Sequence, residues 1–222
     1  MLSENNVKLF KRLYAAAKKP EDLPWNHDTP THFLDDVVAA RPQAGRALDM
    51  GCGSGIDSVF LAQNGWDVTS LDFMPEALTM TRRLAAGAGV RLNVYRTDIT
   101  IWAGDGKFDL ILDAGCLHAL RLAYRREYKQ KLLIWMNPGA DYVLRHAERM
   151  HLWQWRPFDP KRIPRRGIIR RFAPELVEHA FDRHIFTGVK LPWGPSFAHT
   201  TYWFKQEAVS GEAPWIIDED DQ

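Results

Sequence analysis

Strand-forming Leu48-Asp49-Met50 runs straight into Gly51-Cys52-Gly53-Ser54-Gly55, and a helical run opens at Ile56. Glycines at alternate positions let a backbone turn sharply and admit a ligand against it. The dinucleotide fingerprint needs G-x-G-x-x-G, and its last glycine position is Ile56 here, so pyrophosphate binding loses support. No Gly-Lys-Ser/Thr follows, which excludes a phosphate loop. Asp72 ends the next apolar run, 23 residues after Asp49. A carboxylate there accepts hydrogen bonds from ribose hydroxyls, by the logic of nucleotide-binding α/β folds. Phe73 and Met74 follow and can flank an adenine. Asp98-Ile99 end a third run, where a carboxylate can accept from the adenine amino group. The glycine loop alone is a weak signal; the spaced set of four is much stronger.

The elements that must hold these residues alternate. Strands are expected over 46–50, 66–72, 90–98, 107–115 and 140–147. Helices are expected over 56–63, 75–88 and 123–136, with Pro75 in a first helical turn. The run over 107–115 is almost wholly apolar, as a strand covered on both faces should be. This rhythm predicts a mostly parallel sheet with helices on both faces. Upstream, an amphipathic helix is expected over 4–18, and a short one from near Pro30 that carries Phe33, Leu34, Val37 and Val38. Downstream, residues 150–172 read as irregular and 173–181 as a helix. Strands over 183–191 and 200–207, with no helix between them, suggest a hairpin and hence one antiparallel strand.

Composition narrows the function classes. The chain has 222 residues, with 29 Lys+Arg against 28 Asp+Glu. A general nucleic-acid or membrane-surface binder is usually more basic. Two cysteines, Cys52 and Cys116, make no disulfide framework. The start lacks the apolar run of a signal peptide, and no apolar stretch reaches the roughly 20 residues of a membrane span. The expectation is a cytoplasmic protein with no membrane partner. One domain over 1–222 is expected: lid helices over 1–44, a cofactor-binding core over 45–149, an acceptor-side segment and hairpin over 150–207, and an acidic tail over 208–222. Nine tryptophans raise the prospect of a pocket for a planar compound.

The segments ALDMGCGSG, VTSLDF, RTDI and FDLILDAG together resemble the class I S-adenosylmethionine-dependent methyltransferases, over about 46–147. The glycine-loop variant is similar to the small-molecule branch: thiopurine, thiol, tellurite-resistance and heterocyclic-toxin methyltransferases. DAGCLHAL at 113–120 resembles a D-x-G-C-x-H segment of that branch, and Pro24-Trp25 its cofactor-covering segment. The resemblance implies a Rossmann-like α/β fold, a seven-stranded, mostly parallel sheet with one antiparallel strand. S-adenosyl-L-methionine is the implied cofactor and S-adenosyl-L-homocysteine the product. Gly51, Gly53 and Gly55 would line the methionine part, with Asp49 near its amino group. Asp72 would hold the ribose, Phe73, Met74, Asp98 and Ile99 would face the adenine, Asp113 and Ala114 would lie beside the sulfonium, and Trp25 would close over the cofactor.

Methyl transfer is an in-line displacement in which alignment and exclusion of water do most of the work. A base helps when the acceptor is a hydroxyl of high pKa. His118, with Asp113, is the catalytic candidate; a histidine that merely orders its turn is the competing reading. Cys116 is read mainly as packing, and with His118 it makes too small a set for zinc, so no metal is expected. Residues 145–171 carry nine Lys+Arg against two acidic residues, a local net charge of +7. That segment can be a solvated rim, a seat for an anionic or planar small acceptor, or a grip on nucleic-acid phosphates. Cys116, His118, Trp153, Trp155 and Arg170 are the acceptor-side candidates. The expected activity is methylation of O, N or S on a small planar, heteroaromatic or anionic metabolite, by a monomer or homodimer. An RNA or protein methyltransferase and a non-catalytic cofactor-binding regulator stay open as alternatives.

Overall fold

The computed structural model describes residues 4–104, 106–148, 163–191 and 194–207. Five apolar runs become β1 (Arg46–Met50), β2 (Asp67–Asp72), β3 (Asn93–Arg96), β4 (Phe108–Asp113) and β5 (Met136–Glu148), and two more strands follow, β6 (Leu176–Leu191) and β7 (Gly194–Gln206). They form one sheet in the order β3-β2-β1-β4-β5-β7-β6. Strands β1 to β5 pair in parallel. Strand β7 is antiparallel to both β5 and β6. This is the Rossmann-like seven-stranded sheet with one reversed strand that the sequence predicts.

Alternation along β1 explains why both faces are covered. Leu48 and Met50 enter one core with Ile111, Tyr142 and Leu144, under Leu117 of α5 (Cys116–Ala119), Leu132 of α6 (Leu122–Trp135) and Ile168 and Phe172 of α7 (Arg165–Phe172). Ala47 faces the other way, with Val68, Leu112 and Val143, under Leu34 and Val37 of α2 (Leu34–Ala40) and Leu61 of α3 (Ile56–Gln63). Helix α4 (Pro75–Ala88) opens on Pro75 and stops at Gly89, whose positive φ of 68° closes its last turn. Helix α1 (Glu4–Ala16) packs by Tyr14 against Met74 and Ala77, at the start of α4. No helix among the described residues is long and apolar enough to cross a membrane.

The structure departs from expectation in three places. Residues 173–181 are not a helix: Leu176 already lies in β6. The helix lies earlier, at 165–172, inside the segment read as irregular, where Ile168 and Phe172 are one turn apart and both buried. The reason lies in a bulge. Glu178 pairs with Phe204 but Ala180 with Trp203, so His179 is extra. The one-residue slip leaves Leu176, Glu178, Phe181 and Arg183 on one face, and a spacing of three imitates helical periodicity. Finally, β3 covers only Asn93–Arg96 of the longer run expected.

Strand β1 lies between β2 and β4, so the chain leaves it in opposite directions on its two sides. The crevice beyond the carboxyl ends of β1 and β4 is therefore the topological switch point, where ligands of such sheets bind.

Candidate active site

The glycine loop is folded back over the end of β2. Gly51 and Cys52 both donate their N–H to the Leu71 carbonyl, at 2.7 and 2.9 Å. Two glycines are required by their surroundings. Gly51 has φ +75°, and a Cβ there would lie 2.5 Å from Cys116 Sγ. Gly55 has φ +89°, and a Cβ would lie 2.8 Å from the Thr81 backbone. Thr81 Oγ1 in turn donates to the Gly53 carbonyl at 3.1 Å, so α4 supports the loop from below.

Acidic side chains surround this loop with little positive charge to balance them. Asp49 is 1% exposed and accepts from Ser58 Oγ at 2.6 Å. Burial, with Asp57 nearby, pushes its carboxyl up to about 8. Asp72 accepts the backbone N–H of Gly53 at 3.1 Å and of Met74 at 2.8 Å. Those bonds only partly offset burial, which leaves Asp72 raised to about 6. Carboxyls held this far above their ordinary range by burial mark a candidate functional site.

The chain upstream folds onto the same loop. Phe10 and Phe73 meet edge to face at 5.8 Å, and Phe10 meets Trp25 at 5.2 Å. Trp25 also packs against the Tyr14 ring, centroids 5.6 Å apart. Ser54 Oγ donates to Asn26 Oδ1 at 2.7 Å, which ties this segment to the glycine loop. Thr31 does the same for α3, through its N–H and hydroxyl to Asp57. Tyr14 is buried on the inner face of the amphipathic helix expected over 4–18, and nothing in its spacing distinguishes it from packing. Across the crevice, Asp98 Oδ1 accepts from Thr100 N and Oγ1 at 2.9 and 2.8 Å. Ile99 and Leu120 line a small recess with Tyr124, Tyr128 and Trp135.

Asp113 ends β4 and leads into the turn before α5. It is fully buried, and its oxygens accept the N–H of Gly115 at 2.8 Å, Cys116 at 2.5 Å and Leu117 at 2.9 Å, and the Tyr128 hydroxyl. That carboxylate holds the turn into α5 and leaves no free face for chemistry. Cys116 Sγ donates to the Met50 carbonyl at 3.1 Å, and burial pushes its thiol up, so it packs rather than reacts. The turn aims His118 over Gly115, where an added Cβ would sit 3.2 Å from the imidazole.

The His118 ring meets His146 edge to face, centroids 5.5 Å apart. The site role of His146 was not foreseen: it sits in an apolar strand, and only the parallel pairing of β4 with β5 brings it beside His118. Burial and surrounding cations hold His146 well below its ordinary pKa. Arg170, expected in the acceptor site, is exposed; its neighbour Arg171 turns inward and donates to the Arg125 carbonyl at 3.0 Å. Trp153 and Trp155 lie outside the described residues.

A family model described as a methyltransferase domain matches residues 47–139. The ubiquinone biosynthesis O-methyltransferase of Methylocella silvestris is 36% identical over 204 residues, covering 81% of this chain and 76% of that protein. The chain belongs to the class I S-adenosylmethionine-dependent methyltransferases. The 2-heptyl-1-hydroxyquinolin-4(1H)-one methyltransferase of Mycobacteroides abscessus is 28% identical over 149 residues, 64% of this methyltransferase; the match spans just under two thirds of that relative, 65%. Among solved structures, the Burkholderia thailandensis 1,6-didemethyltoxoflavin-N1-methyltransferase with S-adenosylhomocysteine superposes with a TM-score of 0.67 at 16% identity, covering 92% of this chain and 88% of that one.

The donor set of this methyltransferase suits its cofactor. S-Adenosylmethionine carries an ammonium and a sulfonium, and the crevice offers Asp49 and Asp72, two carboxyls raised by burial. It also offers a loop whose glycines leave the backbone open to close approach.

Proposed function

We propose that this methyltransferase transfers a methyl group to a heteroatom of a small planar acceptor. The observation that carries the reading is the His118–His146 pair beside the turn that follows β4. When bound, S-adenosylmethionine supplies an electrophilic methyl. The chain's part is to hold, orient and deprotonate.

Asp49 would take the amino group, Gly51, Gly53 and Gly55 the methionine chain, and Asp72 the ribose, with two of its acceptor positions already filled by Gly53 and Met74. Phe73, Met74, Asp98, Ile99 and Ala114 would flank the adenine side and the strand ends. Trp25, tied down through Tyr14 and Asn26, would cover the cofactor and exclude water. His118 would take the acceptor's proton on an imidazole nitrogen as the heteroatom attacks. His146 is kept neutral and cannot compete for that proton. Asp113 would position His118 by holding the turn, and Cys116 would pack beneath it.

Relatives support the acceptor class: the quinolone and toxoflavin enzymes are named for planar heterocycles. Two described basic residues of the +7 segment are engaged internally, Arg165 with Glu178 and Arg171 with the Arg125 carbonyl, which does not favour a phosphate-gripping surface. The test is turnover with hydroxylated N-heterocycles, phenols and thiols. His118→Ala should lower kcat on a hydroxyl acceptor by about 10²-fold or more, with S-adenosylhomocysteine affinity unchanged. Undiminished turnover would reduce His118 to an ordering role.

A further inference from the structure

Beside His118 lie two buried donors whose hydrogen-bonding capacity the proton transfer leaves unfilled. His146 on β5 is fully buried. Its Nε2 accepts the Ile163 N–H at 3.1 Å, so the proton of the neutral ring sits on Nδ1. That Nδ1 is buried with no hydrogen-bond partner among the described residues. Arg171 on α7 is in the same condition. One terminal nitrogen donates to the Arg125 carbonyl, while Nε is buried without a partner. Native structures pair nearly all buried donors, and two left over in one region call for an acceptor from outside.

The surrounding charge says which kind. Arg125 is 3% exposed, and its guanidinium donates to the Leu120 carbonyl at 2.9 Å and the His118 carbonyl at 2.6 Å. His146 feels the fields of Arg125 and Arg171 together. Further along the same face of β5 stands Glu148, and it is bridged to Arg183 at 2.6 Å. A buried donor pair of which one member is a guanidinium is a seat for an anionic oxygen.

We propose that the His146 Nδ1–H and Arg171 Nε–H bind a carboxylate carried by the methyl acceptor, with Arg125 supplying charge behind them. The substrate class is then an aromatic carboxylate that bears the methylated hydroxyl, amine or thiol on its ring. The inference rests on the reading that the acceptor lies beside His118, and it names what holds the acceptor's other end. It also gives the inward turn of Arg171 a purpose that a neutral acceptor would not.

The probes are salicylate, with a ring hydroxyl and a carboxylate, and phenol, with the hydroxyl alone. Each is titrated by calorimetry into the full chain loaded with S-adenosylhomocysteine. Salicylate should bind about tenfold or more tighter than phenol, the worth of one charge-assisted hydrogen bond. Arg171→Gln and His146→Phe should each erase most of that preference, with S-adenosylhomocysteine affinity unchanged. Equal affinity for the two probes, no saturable salicylate binding, or a preference intact in both variants overturns the proposal; the two-probe comparison in the unaltered chain decides it even if a variant misfolds. The two readings fail separately. Methylation of phenols with no carboxylate preference removes the anion seat and leaves the acceptor class. Salicylate binding that depends on Arg171, with no aromatic compound methylated, does the reverse.

Discussion

Asp49 and Asp72 tie cofactor affinity to pH. Both carboxyls hold their protons more tightly in the folded chain than the ordinary 3.8, to about 8 and about 6. The folded state therefore binds more protons than the unfolded state across that range. Their contribution to stability is fully present below 3.8 and is lost as pH rises through about 6 for Asp72 and about 8 for Asp49. A bound cation stabilises the ionised forms and should flatten the decline. We expect the ligand-free chain to lose resistance to urea between about pH 4 and about pH 8, less so with saturating S-adenosylmethionine; identical slopes with and without the cofactor would remove these carboxyls from its site. On the proposed reading, in which Asp72 takes the ribose, Asp72→Ala should weaken S-adenosylhomocysteine binding about tenfold or more; calorimetry reads this directly. At this scale the glycine loop and the aspartates at the strand ends were legible, because their spacing follows the local strand–loop–helix pattern. Arg171 was not, because the choice between it and Arg170 depends on which face of α7 the sheet covers.

The loop after β1 and the turn after β4 are built as one unit. Gly51 leaves room for Cys116 Sγ, and Cys116 reaches back to the Met50 carbonyl. Gly51→Ala meets two obstacles, a positive φ that costs about 1–2 kcal/mol for a residue with a Cβ and the thiol 2.5 Å away. Cys116→Ala in that background removes only the second. The double variant should therefore recover part of the lost thermal stability, and a double-mutant cycle measures how much. Full additivity would mean that the two segments do not press on each other. Tyr128 and Asp113 show why α5 was hard to foresee. This four-residue helix is held by a side chain of the preceding strand and a hydroxyl from α6, and such non-local supports leave no periodic trace. The slip at His179 misled in the opposite direction, by making a strand look helical.

Across the molecule, the site is assembled from chain segments far apart in sequence. Tyr14 and Trp25 come from the amino-terminal segment, Asp49 and Asp72 from the first half of the sheet, His118 and His146 from its middle, Arg171 from α7. The amino-terminal aromatic residues form a small cluster of their own with Phe73 and Met74, apart from the two cores of the sheet, and are bridged to the loop by the Ser54–Asn26 hydrogen bond. Segments of this kind open at low cost in free energy. Binding of S-adenosylhomocysteine should slow amide hydrogen exchange over Phe10–Asn26 and the glycine loop far more than in β6 and β7. Protection confined to the loop would show that the amino-terminal segment does not cover the cofactor.

The sequence by itself determined the alternating α/β order, the glycine loop and the acidic residues at strand ends. Those features are local: a turn needs glycine, a covered strand needs an apolar run, and each leaves its mark within a few residues. Only the tertiary structure decided that Asp113 is spent on a turn, that His146 stands beside His118, and that Arg171 rather than Arg170 faces inward. Each of these depends on strand order, register and helix rotation, which are settled by packing between segments tens of residues apart. The cofactor half was therefore readable along the chain, whereas the acceptor half emerges from what the sheet brings together.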